Sequence, residues 1–125
     1  MILDTNALSA FADGDGALKP IVATKPRLYL PVIVLGEYQF GIRFSRQQKS
    51  YETWLARHLP DFHVLLVDEH TSTVYADIRT ELKAAGTPIP ENDIWIAATA
   101  RQHGFEIASR DTHFEHVRGL RRISW

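Results

Sequence analysis

Residues 1–6 read MILDTN: an apolar run, Met1-Ile2-Leu3, closed by a carboxylate at Asp4 and two small polar residues, Thr5 and Asn6. A short continuous apolar run of this kind is the signature of a central parallel strand, buried on both faces. A carboxylate at its end lies outside the carboxyl edge of a sheet, where open α/β sheets collect their ligands. The fold and the chemistry therefore turn on whether other segments send acids to the same edge.

The chain has 125 residues, 45% of them apolar, enough for one domain (1–125) with its own core. It contains no cysteine, which rules out disulfides and thiolate metal sites. No stretch has the length of a membrane span, and the start carries no basic, cleavable leader. A cytoplasmic protein with no membrane partner is expected. The net charge of −1 supplies no general field for nucleic acid, so RNA would have to be met by local cations or through a bound metal.

Outward from MILDTN, strands and helices alternate. Strands are expected at Met1–Asp4, Arg27–Leu30, Phe62–Val67 (the clearest, FHVLLV), Phe105–Ser109 and Arg121–Trp125. Between them fall helices from Ala7 to Phe11, toward Thr24, over 32–45 and over 51–59. A further helix, capped by Thr71, ends at Gly86, and another runs from Asn92 or Asp93 to Gly104. A short helix spans Thr112–Val117, and Asp13-Gly-Asp-Gly16 is a turn. This order predicts a mostly parallel sheet covered on both faces, a three-layer α/β/α sandwich.

Two strands of such a sheet end on acids, Asp4 and Asp111, while Asp93 opens a helix and Glu37 lies early in another. Taken singly, Asp93 reads as a helix cap, Asp111 as a turn residue and Glu37 as a solvated position. Together they place four carboxylates at one sheet edge. Like charges about 4 Å apart cost roughly 4 kcal/mol per pair at an effective dielectric near 20. Folded proteins keep such clusters by protonation or by binding a cation. Oxygen ligands select hard ions, Mg²⁺ or Mn²⁺, and a metal-bound water facing a phosphate implies phosphodiester hydrolysis.

Four stretches, MILDTNALSAF, VIVLGEYQFG, PENDIWIAATA and IASRDTHFEHVRGL, occur in the order found in the PIN-domain family, and the chain resembles its VapC-type toxins most. The resemblance spans nearly the whole chain. It implies an Mg²⁺- or Mn²⁺-dependent endoribonuclease inhibited by a cognate antitoxin and forming a homodimer. The family's acidic metal-binding and catalytic positions fall on Asp4, Glu37, Asp93 and Asp111. Thr5 and Asn6 match polar residues that support the metal or its waters. Hydrolysis would leave a 5′-phosphate.

Other signals read as structure. His113 and His116 form no HExxH or HxxEH motif and are expected to be surface or half-buried residues on a short amphipathic helix. GDGALK lacks the glycine pattern of a phosphate loop. A phosphoacceptor receiver would need an acidic pair at the first strand and a late lysine, where this chain has a lone Asp4 and Arg110. A dehalogenase-like phosphatase would need an acid at position 6, which is Asn. A non-catalytic metal- or partner-binding module would lack one or more acids, and all four are present. Arg43, Arg46, Lys49, Arg110, Arg118, Arg121 and Arg122 are available for phosphate contact. Phe40, Tyr51 and Trp54 are candidate interface aromatics.

Overall fold

A computed structural model describes residues 1–125. Five parallel strands form one sheet in the order β3-β2-β1-β4-β5: β1 Ile2–Leu3, β2 Tyr29–Pro31, β3 His63–Leu65, β4 Ile107–Ala108 and β5 Arg122–Ile123. The helices are α1 Thr5–Ala12, α2 Lys19–Ala23, α3 Val32–Ile42, α4 Gln48–His58, α5 Glu69–Ala85 and α6 Glu91–His103. Short 3-10 turns occupy Leu59–Asp61 and Thr112–His116.

Neighbouring residues of a strand face opposite sides of a sheet. Ile2 with Leu3, and Ile107 with Ala108, are all fully buried, so both faces of the two central strands are covered. The expected α/β/α sandwich is the one found. Helix α6 explains why one of those coverings is close. Ala97, Ala98 and Ala100 are buried along with Ile94 and Ile96, so small side chains let the helix approach its neighbours.

The chain leaves β1 for β2 and β3 on one side, then returns to β4 and β5 on the other. The reversal falls between β1 and β4, and ligands bind at that point outside the strand ends. The Asp4 N–H donates to the Ala108 carbonyl (3.1 Å), which fixes the end of β1 against the end of β4.

Several boundaries differ from expectation for local reasons. FHVLLV forms a strand, as expected, but a shorter one than Phe62–Val67. It contributes a three-residue edge strand, with Val64 and Val67 exposed and Leu66 67% exposed. Thr71 does not cap α5. Asp68 does, accepting from the Thr71 N–H (2.9 Å), while the Thr71 hydroxyl accepts from the Asp68 N–H (3.0 Å) in a capping box. Helix α6 begins at Glu91, after Pro90, and α4 begins three residues before Tyr51. Gly86 and Gly104 end their helices in the left-handed conformation, as expected.

Removing side chain at the centre should cost far more than removing it at the β3 edge. Ile2→Ala should lose about 2–5 kcal/mol of unfolding free energy, and Val64→Ala less than about 0.5 kcal/mol, both read by urea denaturation. Equal losses would contradict the peripheral place of β3.

Candidate active site

The site begins at the end of β1. Asp4 occupies the N-cap position of α1, yet its carboxylate makes no capping bond. It turns to the neighbouring strand end. Ser109 Oγ donates to Asp4 Oδ2 (2.7 Å), and Asn6 Nδ2 donates to the same oxygen (2.8 Å). Ser109 is itself fully buried and accepts from the Asp111 N–H (2.9 Å) and from Asn6 Nδ2 (3.2 Å). Asn6 Oδ1 in turn accepts from the Arg110 N–H (3.0 Å). One hydroxyl and one amide therefore lock the start of α1 to the loop after β4.

Glu37 lies on the second turn of α3, which starts at the same sheet edge because it follows β2. Its Oε1 accepts from the Thr5 hydroxyl at 2.9 Å. Thr5 and Asn6, expected beside the metal site, both hold acids in place. Asp93 comes from the first turn of α6, which runs antiparallel to the strand it precedes and so begins at the carboxyl edge. Asp111 precedes the 3-10 turn and accepts from the His113 N–H (2.9 Å).

All four carboxylates share one electrostatic neighbourhood. Asp4 is 5% exposed, and desolvation pushes its pKa from the ordinary carboxylate value up to about 6. The Ser109 hydrogen bond opposes this, and the charges of Asp93 and Glu37 add to it. Asp93 is also raised, chiefly by burial, with Asp111 and Glu37 contributing and His113 opposing.

Two members of the site lie within the IASRDTHFEHVRGL stretch but were given no role from the sequence. Ser109 was legible only as the residue before Arg110. His113, half-buried as expected, places Nδ1 3.0 Å from Asp93 Oδ2 and 3.0 Å from Asp111 Oδ1, a proximity the sequence reading did not anticipate. A five-residue 3-10 turn, rather than an α-helix, returns the His113 ring to the acids two residues after Asp111. Ligand atoms of Asp93, Asp111 and His113 all lie within 4.8 Å of one another, a donor set that fits a divalent cation.

The basic residues divide sharply. Arg110 pairs with Asp15 (2.9 Å) and lies over the Trp125 ring, Arg122 is held by Glu115 and the Ser109 carbonyl, and Arg121 faces Glu106. Arg43, Arg46, Lys49 and Arg118 are exposed and form no ion pair. Among the aromatics, Tyr51 donates to Asp13 (2.8 Å) and Trp54 packs edge-on against Phe11. Phe40 is 63% exposed and meets Phe44, 78% exposed, edge to face.

A parallel five-stranded α/β/α sheet with carboxylates gathered at its reversal point defines a class of acid-cluster proteins. This chain belongs to the PIN-domain family, whose model matches residues 1–120. It is 33% identical to a protein called VapC ribonuclease Y4jK from Sinorhizobium fredii, over 96% of this chain and 93% of that one. It is also 33% identical to Toxin FitB of Neisseria gonorrhoeae, over 90% and 88%. Its structure resembles that of FitAB bound to an IR36 DNA fragment, with a TM-score of 0.86 and 28% identity over 98% of this chain and 93% of that chain. Membership of this family removes the receiver and phosphatase readings.

The raised Asp4 pKa has a consequence for stability. Between the ordinary carboxylate value and about pH 6, the folded protein holds a proton on Asp4 that the unfolded chain has released. Stability from this group is therefore highest below that window and falls as the pH rises through it, by up to about 3 kcal/mol. In chelator at pH 7.5, Asp4→Asn should raise the melting temperature, and the gain should vanish near pH 4. Ser109→Ala strands the Asp111 N–H and should cost about 1–3 kcal/mol in urea denaturation.

Proposed function

We propose that this chain is an endoribonuclease dependent on Mg²⁺ or Mn²⁺, and the toxin of a toxin–antitoxin pair neutralised by a cognate, VapB-like antitoxin. The observation that carries the reading is the cluster of Asp93, Asp111 and His113, whose ligand atoms lie within 4.8 Å of one another, with Asp4 and Glu37 near enough for their charges to be felt there. Relatives named as a VapC ribonuclease and a toxin, and a structural neighbour solved as the FitAB complex, support the substrate class and the partner.

Asp4, Asp93 and Asp111 would hold the cation, with Glu37 completing its sphere or orienting water. When bound, the cation offsets the crowded negative charge and lends Lewis acidity to the scissile phosphate and the attacking water. The chain's own groups do the rest. Thr5 occupies Glu37 Oε1 and leaves Oε2 to take the water's proton. The water oxygen bonds to phosphorus as the bond from phosphorus to the ribose 3′ oxygen breaks. That oxygen picks up a proton, and the products are a 3′-hydroxyl and a 5′-phosphate. Arg43, Arg46, Lys49 and Arg118, free of internal partners, are the cations left for flanking phosphates.

Phe40 lies one turn beyond Glu37 on α3, and Phe44, just past the end of that helix, packs against it edge to face. An antitoxin segment docked there covers the approach to the acids as well. A homodimer is the expected assembly of the free chain, and no helix is long and apolar enough to cross a membrane.

Incubation with total RNA and Mn²⁺ or Mg²⁺, followed by sequencing of new ends, should give 5′-phosphate termini that chelator abolishes. Asp4→Asn should lower the rate on the order of a thousandfold, the loss of several kcal/mol of charge stabilisation. Intact RNA with the wild-type protein, or full activity of Asp4→Asn, would remove the nuclease reading. Saturating Mn²⁺ at a hundredfold excess over its Kd should stabilise the wild type by about 2.7 kcal/mol, and Asp93→Asn by less.

A further inference from the structure

The four carboxylates leave one member of the pocket without a task. We infer that His113 is a nitrogen donor to the same cation as Asp93 and Asp111, and that it biases this site toward Mn²⁺ over Mg²⁺. The inference rests on the metal-dependent reading above and specifies its ion.

Geometry supplies the first support. His113 Nδ1 lies 3.0 Å from an oxygen of Asp93 and 3.0 Å from an oxygen of Asp111. Around a six-coordinate ion with bonds near 2.1 Å, adjacent donors are separated by about 3.0 Å. His113 Nδ1 thus has the spacing of a neighbouring corner to an oxygen of each acid, and ligand atoms of all three residues, from α6 and the turn after β4, lie within 4.8 Å of one another. A hydrogen bond has the same length, so distance alone does not choose between them.

The backbone supplies the second support. The His113 N–H is tied to Asp111 Oδ1 (2.9 Å), and the next residue, Phe114, is fully buried in the core. The backbone from which the ring projects is thereby fixed beside the acids, since it cannot swing outward without drawing Phe114 from the interior. The His113 side chain keeps 44% of its exposure, which leaves the solvent side of the pocket open to water and phosphate.

Donor chemistry supplies the direction of the preference. Mg²⁺ takes oxygen ligands and keeps its waters; Mn²⁺ also prefers oxygen and is the weakest of the first-row divalent ions at nitrogen sites, but it accepts an imidazole donor more readily than Mg²⁺ does. Replacing one oxygen donor by nitrogen therefore favours Mn²⁺ without excluding Mg²⁺.

The test uses the full chain with MnCl₂ or MgCl₂ alone. Pulsed electron paramagnetic resonance of the Mn²⁺-loaded protein should show ¹⁴N modulation from a directly bound imidazole, absent in both His113→Ala and His113→Gln. Calorimetric titration should show Mn²⁺ affinity falling about tenfold in either variant, and Mg²⁺ affinity by less than about twofold. A Mn²⁺-loaded wild type without the nitrogen signal would overturn the inference and leave the nuclease reading intact, with His113 reduced to a hydrogen-bond donor between two acids. Equal weakening of both ions would overturn the preference. A wild type that takes up neither ion would sink both readings at once.

Discussion

Charge crowding at the reversal point of the sheet is the constraint around which this molecule is organised. Four carboxylates from α1, α3, α6 and the loop after β4 repel one another, and one of them is buried. A chain that merely needed to be stable would place a neutral residue at position 4. The fold bears the repulsion because neutral donors are arranged to absorb part of it. Ser109 and Asn6 both spend hydrogen bonds on a single oxygen of Asp4, and Thr5 does the same for Glu37. These donors soften the cost without cancelling the charge.

Rigidity follows from the same bonds. The backbone of Asp4 is fixed to Ala108 and its side chain to Ser109, so β1 and β4 deliver their acids as one unit. Both strands are buried on both faces, which leaves no room for the register to slip by a residue. Preorganisation of this kind lets a site bind an ion and a phosphate without first reordering its own side chains. By contrast, the surface beyond Glu37 carries the exposed Phe40 and Phe44, which pack edge to face on each other.

Much of the site was legible before any coordinates. Asp4 and Asp111 each close an apolar run, and strand ends in a parallel sheet share an edge, so their convergence follows from pattern alone. Asp93 and Glu37 follow from helix polarity, because helices flanking parallel strands open or close at predictable edges. Where the sequence misled, a competing interaction had decided the outcome. FHVLLV has the strongest strand composition but lies at the rim, since burial depends on which strands flank it rather than on its own hydrophobicity. Thr71 can cap a helix, yet Asp68 three residues earlier forms the reciprocal pair that satisfies two backbone groups at once. Arg110 looked free for RNA and is committed to Asp15, a partner 95 residues away in the chain.

The amino-acid order by itself determined the α/β alternation, the single core and the edge at which the acids gather, because strand and helix periodicities and parallel topology are properties of local pattern. It also determined the family, through four motifs in sequence. Only the tertiary structure decided how the acids are held and what stands among them. Ser109 and His113 sit in a motif without an evident task, and their roles come from hydrogen bonds between segments that meet only when β1, β4 and α6 pack. Side-chain direction in a short 3-10 turn depends on the burial of Phe114 next to it, a packing fact that linear spacing does not encode.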